Sequence, residues 1–177
     1  LPFVTIDGED AKDFDDAVYC RKKRLGGWKL WVAIADVSHY VHPGSALDTE
    51  AARRGNSVYF PERVVPMLPE VLSNGLCSLR PHEDKFTFSA VFEFDKNAKI
   101  VKRWFGRTVT HSDRRFTYMQ AQDVIESGKG DYAKEIKELN RIAHIQRKAK
   151  FKNGAMSFDS PEVKFKLDED GTPISVY

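Results

Sequence analysis

The amino-acid sequence predicts an α+β domain: mainly antiparallel strands joined in hairpins, with flanking helices. Three observations predict it. The run "KFTFSAVFEFD" alternates between two kinds of residue, the period of a half-buried strand. Gly26-Gly27 and Asp170-Gly171 each stand between strand-like runs, as hairpin turns do. From Tyr132 to about Phe151, Ile136, Leu139, Ile142, Ala143 and Ile145–Gln146 return near one side of a helix.

Taken in order, Phe3-Val4-Thr5-Ile6 makes residues 2–6 a strand. The acidic run after it predicts a loop, because Asp and Gly are poor strand formers. Ala17 to Lys22 and Trp28 to Asp36 pair about Gly26-Gly27. The apolar end of the second strand predicts burial on both faces. Pro43-Gly44 breaks the chain, Ser45 caps a helix over "ALDTEAARR", and Gly55 closes it. Pro61, Pro66 and Pro69 keep the next elements short. A short helix begins at about Pro69 and stops at Asn74-Gly75. In the alternating strand Phe86, Phe88, Ala90, Phe92 and Phe94 point one way, and Thr87, Ser89 and Glu93 the other. Asp95 to Ala98 turn the chain into a partner strand, Lys99 to His111, where Gly106 predicts a bulge or a close approach. Thr117 caps a helix ending near Gly128, and the long helix follows. Beyond Asn153-Gly154 the sequence predicts a last hairpin, with Val163, Phe165 and Leu167 inward. There is no internal repeat and no low-complexity tract.

The chain has 177 residues, 41% hydrophobic and 31% charged, enough for one domain with a real core and too apolar for a disordered segment. No apolar run reaches the length of a membrane span. The chain starts on Leu1 without a signal-peptide pattern and ends on "ISVY", so a piece of a longer protein is expected. Two cysteines, Cys20 and Cys77, exclude a disulfide scaffold or a four-cysteine zinc site and point to a reducing cytoplasm. The net charge of +2 hides an uneven distribution. Acid gathers at the N-terminus, while from Lys134 to Lys152 seven Lys or Arg stand against Glu135 and Glu138. That arrangement suits a phosphate polymer held beside a metal site; a solvated helix face accounts for it as well.

The chemistry concentrates in "TIDGEDAKDFDDAV". Asp7, Asp13, Asp15 and Asp16 follow the pattern D-x5-D-x-D-D. Each close carboxylate pair repels by about 1 kcal/mol in water and about 4 near a protein surface. If the four converge, they need a cation or strongly raised pKa values. An all-oxygen set favours Mg²⁺, with Mn²⁺ as a substitute, and the absence of His and Cys from the segment disfavours zinc. A calcium loop of the EF-hand kind fails, because Lys12 and Val18 occupy its sixth and twelfth positions. A solvated acidic turn and a catalytic metal site both remain. Tight bracketing by strands, with Phe14 and Ala17 inside the run, argues for convergence. Carboxylate-held Mg²⁺ implies a phosphate substrate.

"TIDGEDAKDFDDAVYC", "WVAIADVSHYV" and "SVYFPERVVPMLPEVLSNGLCSL" together resemble the catalytic RNB domain of the ribonuclease II family. The resemblance covers almost the whole chain and is strongest from Pro2 to about Leu79. It implies a metal-dependent exoribonuclease that degrades single-stranded RNA from the 3′ end to 5′-nucleoside monophosphates. It implies further that Asp7, Asp13, Asp15 and Asp16 are the catalytic, metal-binding aspartates, with Asp10 outside the set. Tyr59 matches an aromatic against the 3′-terminal base region, and Phe158, in "GAMSFDS", resembles a second one. Stacking suits an enzyme that accepts any base, at roughly 1–3 kcal/mol each. Without the resemblance, both aromatics read as core residues. His39, His42 and His82 lack metal-ligand spacing, Asp36 reads as structural, and the cysteines as small hydrophobes. The family's domain is about twice this length, and its later half supplies an Arg and a Glu that no stretch here matches. The expectation is therefore an incomplete RNB-type domain, with apolar surface shaped for the missing half. Its expected partners are single-stranded RNA, no membrane, and in the parent chain the remaining half and RNA-binding domains. The alternative is an RNA-binding module without catalysis.

Overall fold

In the computed structural model the described residues are 1–61, 63–158, 163 and 165–176. Five strands close into a barrel: β1 (Phe3–Asp7), β2 (Asp16–Lys22), β3 (Trp28–Ala35), β6 (Asp84–Phe94) and β7 (Ile100–Thr117). Neighbours pair antiparallel, except that β1 lies parallel to β7 and seals the ring. Two small hairpins stand apart from it, β4 (Val58–Tyr59) with β5 (Val64–Val65), and β8 (Phe165–Leu167) with β9 (Pro173–Val176). The helices are α1 (Ala46–Arg54), α2 (Tyr118–Ser127) and α3 (Ala133–Lys152). The α+β class with mainly antiparallel strands and flanking helices is observed. Among the described residues no helix is long and apolar enough to cross a membrane.

Local signals place most elements. In the β2–β3 turn Gly27 sits at φ 75°, and a Cβ there would meet the Phe94 carbonyl at 2.2 Å, so the position requires glycine. The Ser45 hydroxyl accepts from the Asp48 N–H at 3.1 Å and starts α1. Thr117 and Gln120 cap each other reciprocally at the start of α2. The predicted short helix is a π-helical turn, Val71–Leu76, that runs past Asn74-Gly75 and closes with the Cys77 N–H on the Leu72 carbonyl at 2.8 Å.

The remaining differences come from long-range pairing. β7 continues six residues beyond the expected His111, because β1 gives Ser112 to Thr117 a parallel partner. Gly106 keeps regular register opposite Ser89; it is a close approach and not a bulge, since a Cβ there would meet the Trp104 ring at 2.6 Å. The end of β3 is buried on one face only: Ala33 and Ala35 are buried, and Ile34 is exposed. In β6 the alternation holds, with the hydroxyl set on the buried side. Thr87 and Ser89 are buried, while Phe86 and Phe88 are exposed. Inside the barrel, Thr87 bonds Thr110 and Thr108 at 2.7 Å each, and Ser89 bonds Thr108 at 2.6 Å, so these four hydroxyls satisfy one another, while the buried hydroxyls of Thr5 and Ser112 have no partner among the described residues. In the last hairpin Val163 and Phe165 are exposed and Leu167 half-buried, because this two-stranded unit stands apart from the barrel sheet. Its predicted residues 162, 164 and 177 lie outside the described residues.

Apolar packing then fixes the barrel against the rest. On its outside Val4 and Phe116 pack with Ala121, Val124 and Ile136 of α2 and α3. Phe116 is fully buried, which contributes about 1.5–3 kcal/mol. Cys20, Trp28, Phe94, Ala98 and Ile142 form a second cluster. A third, with Phe3, Phe14, Ala17, Ala33, Leu72, Cys77 and Leu79, carries the acidic loop.

Candidate active site

The acidic loop joins β1 to β2. Asp7 is the last residue of β1, Asp16 the first of β2, and Asp13 and Asp15 flank Phe14 between them. Phe14 is buried in the third cluster and anchors the loop by its ring. Its N–H donates to the Ser78 hydroxyl at 3.1 Å, and that hydroxyl donates to the Lys12 carbonyl at 2.7 Å. The Phe14 carbonyl accepts from Leu79 N–H at 2.8 Å, and the Asp15 carbonyl from Ala35 N–H at 2.9 Å. On the other side Arg115 donates to the carbonyls of Gly8 at 2.7 Å and Glu9 at 2.5 Å, and its guanidinium lies 5.3 Å from the centre of the Phe14 ring. The backbone is therefore held near its start, at Gly8 and Glu9, and again from Lys12 to Asp15.

The carboxylates act on one another. Burial first, then Asp16, with smaller contributions from Asp13 and Asp15, raises the Asp7 pKa to about 6 against the opposing charge of Arg115. Asp15 is raised by burial, then by Asp13 and Asp16; Asp16 is raised by burial. Asp15 and Asp16 still present much of their surface to solvent, so the burial that shifts them comes from the protein beneath the loop. Asp7 Oδ2 is buried without any hydrogen-bond partner, a costly state for a carboxylate oxygen. Among the described residues, no three His, Cys, Asp or Glu side chains stand close enough to enclose an ion as they are.

Beside the loop opens a cleft of about 590 Å³. Gly8, Asp10, Ala11, Lys12 and Asp13 line one wall; Ser57, Tyr59, Val64 and Pro66 around the β4–β5 hairpin, with Glu70, Ser73 and Asn74, line the other. Tyr59 is 68% exposed, so it is not a core residue. Phe158 is 83% exposed and does not border this cleft. Asp10 borders it with an exposed side chain.

The residues set aside behave as structure. Asp36 is buried, accepts from the Ser38 hydroxyl at 2.6 Å and pairs with Arg107 at 3.1 Å. Cys20 is buried, and burial, then Glu138 and Glu135, pushes its thiol up to about 12; Cys77 is raised likewise, burial first. Neither thiol is available as a thiolate. His39 stacks on Phe86 at 4.1 Å. Sequence reasoning missed Ser78, Arg115 and the cleft residues Glu70, Ser73 and Asn74. No local signal marks Arg115, which reaches the loop only because β7 lies beside β1.

The RNB domain family profile matches residues 1–177. Ribonuclease R of Escherichia coli (strain K12) is 49% identical over 171 residues, 93% of this chain and 21% of that protein. The solved structure of Mycoplasma genitalium RNase R in complex with double-stranded RNA aligns over 99% of this chain and 32% of its own, with a TM-score of 0.92 and 33% identity. Yeast Ssd1, a pseudonuclease, matches over 85% of this chain and 18% of its own, with a TM-score of 0.73 and 21% identity, a likeness of fold alone. The chain spans about a fifth to a third of the length of the curated relatives it matches. With a match along its entire length and half of its residues shared with a curated relative, this chain belongs to the RNB domain family.

Proposed function

We propose that this chain carries the metal-binding loop of an exoribonuclease that degrades single-stranded RNA from the 3′ end and releases 5′-nucleoside monophosphates. One observation carries the reading: four aspartates of a single backbone-held loop, in a member of the RNB domain family, are coupled through charge and burial. The residues fit a divalent ion. The donors are all oxygen, and a buried Asp7 oxygen lacks a partner, which suits Mg²⁺ with Mn²⁺ as substitute. Asp7, Asp13, Asp15 and Asp16 would hold the ion or ions, Asp7 as a ligand and Asp13 as ligand or positioner. Bound there, Mg²⁺ supplies charge to polarise the scissile phosphate and to offset the leaving 3′-oxygen.

The chain's own residues do the rest. Asp15 and Asp16, with raised proton affinity, orient the attacking water against the last phosphodiester. Tyr59 stacks on the 3′-terminal base region; Phe158, which does not border the cleft here, is assigned to the same grip by the family resemblance alone. The basic residues of α3 meet the RNA backbone.

A second reading, RNA binding without hydrolysis, is favoured by the lack of three converged ligands among the described residues. Labelled single-stranded RNA, incubated with Mg²⁺ and either this chain or the complete protein encoded with it, separates the two. Stepwise release of mononucleotides by the complete protein is expected. Retention of RNA without shortening by the complete protein would establish the second reading.

A further inference from the structure

The acidic loop faces a problem that its own sequence does not solve. Asp7, Asp13, Asp15 and Asp16 repel one another, and an unrestrained loop would relieve that repulsion by spreading. Two side chains from distant parts of the chain oppose this. Ser78, fully buried, bridges the loop on both sides of Asp13: its hydroxyl accepts from Phe14 N–H and donates to the Lys12 carbonyl. Arg115, on β7, grips the opposite half through the Gly8 and Glu9 carbonyls, directly after Asp7. Its guanidinium also rests on Phe14, so both grips meet at the same residue. Lys12 and Phe14 are the immediate neighbours of Asp13, and Gly8 is that of Asp7.

We propose that Ser78 and Arg115 are positioning residues that fix the backbone path of the acidic loop, so that only side-chain movement is left to gather its four aspartates when an ion arrives. This rests on the metal-binding reading above. Neither side chain needs to touch the ion. Each acts through backbone atoms; partners that hydrogen-bond metal-ligating side chains directly cost about 10–100-fold in metal affinity or activity when lost, which sets the scale expected here. A lysine at 115 keeps the charge and can still reach one carbonyl, but it loses the planar fork and the contact with Phe14.

The test is a titration of the purified chain with Mn²⁺ alone, followed by the electron paramagnetic resonance signal of the free ion. It is carried out well below the melting temperature of each variant, with near-ultraviolet circular dichroism to establish folding. Four variants accompany the wild type: Ser78→Ala, Arg115→Met, Arg115→Lys and Asp15→Asn. The expected result is that Asp15→Asn weakens binding, Ser78→Ala and Arg115→Met fold and raise the half-saturating Mn²⁺ concentration by about tenfold or more, and Arg115→Lys recovers part of the loss. Should Arg115→Met not fold, Ser78→Ala and Arg115→Lys decide the matter. Folded positioning variants that bind Mn²⁺ like the wild type, beside a weakened Asp15→Asn, overturn the positioning role and leave the metal site standing. A wild-type chain that binds no Mn²⁺ overturns the metal-site reading and this proposal with it.

Discussion

Asp7 shows most directly what the loop costs. A carboxyl raised from 3.8 to about 6 is easier to protonate in the folded chain than in the unfolded one. The sign follows from linkage: its favourable contribution is complete below the unfolded value and is lost as pH rises through about 6. The shift sets an upper bound of about 3 kcal/mol, reduced for a half-buried group by solvent screening. Melting of the ion-free chain in chelator should therefore show a loss of stability from this site between pH 4 and 7. Mg²⁺ should restore the melting temperature at pH 7 far more than at pH 5, because cation and proton compete for the same oxygens. Equal gains at both values would remove the ion from Asp7. Asp15→Asn keeps the shape of the side chain and removes its charge; in the complete protein it should leave RNA binding largely intact and abolish hydrolysis, as gel-shift and product assays can measure. Tyr59→Ala should weaken binding of a short RNA by about 5- to 150-fold, the equivalent of 1–3 kcal/mol per stacked base.

The elements around the loop divide by how local their causes are. Ser45, Gly55, Thr117 and Gly128 cap their helices as read from the sequence, because a cap joins residues three or four apart. Thr117 has a second role, since it also ends β7 opposite Asp7. Thr117→Ala should lower stability by about 0.5–2 kcal/mol, visible as a lower denaturant midpoint with an unchanged slope. By contrast, the period of β6 shows that Phe86 and Thr87 face opposite ways, but not which of them faces the barrel. Thr87 turns inward because Thr108 of β7 stands opposite and Thr110 on the diagonal, both with hydroxyls to share. For the same reason the last residues of β7 were not legible: their partner, β1, lies more than a hundred residues earlier in the chain.

At the scale of the whole molecule, closure of the barrel sets the site. By placing β7 beside β1, it brings Arg115 against the loop, and the paired ends of β2 and β3 bring Ala35 to Asp15. The outer face of β3, β6 and β7 leaves Ile34, Phe86, Phe88, Phe105 and Val109 exposed. On α3 the basic residues are exposed, while Ile136 and Ile142 are buried. If they meet an RNA backbone, the logarithm of the association constant should fall against log salt with a slope of about −0.7 per phosphate neutralised. Replacing Arg147 and Lys150 by Gln should reduce that slope by more than one. An unchanged slope would assign α3 to packing alone.

By itself the sequence determined the four-aspartate spacing, the hairpin turns, the helix caps and the identity of the family, all written in short stretches whose causes are local sterics, hydrogen bonds and charge. Only the tertiary structure decided which face of β6 is buried, how the sheet closes, and that Ser78 and Arg115 hold the acidic loop. Those outcomes depend on which distant backbones come to lie side by side, and the free energy that selects them is released by the assembled barrel as a whole.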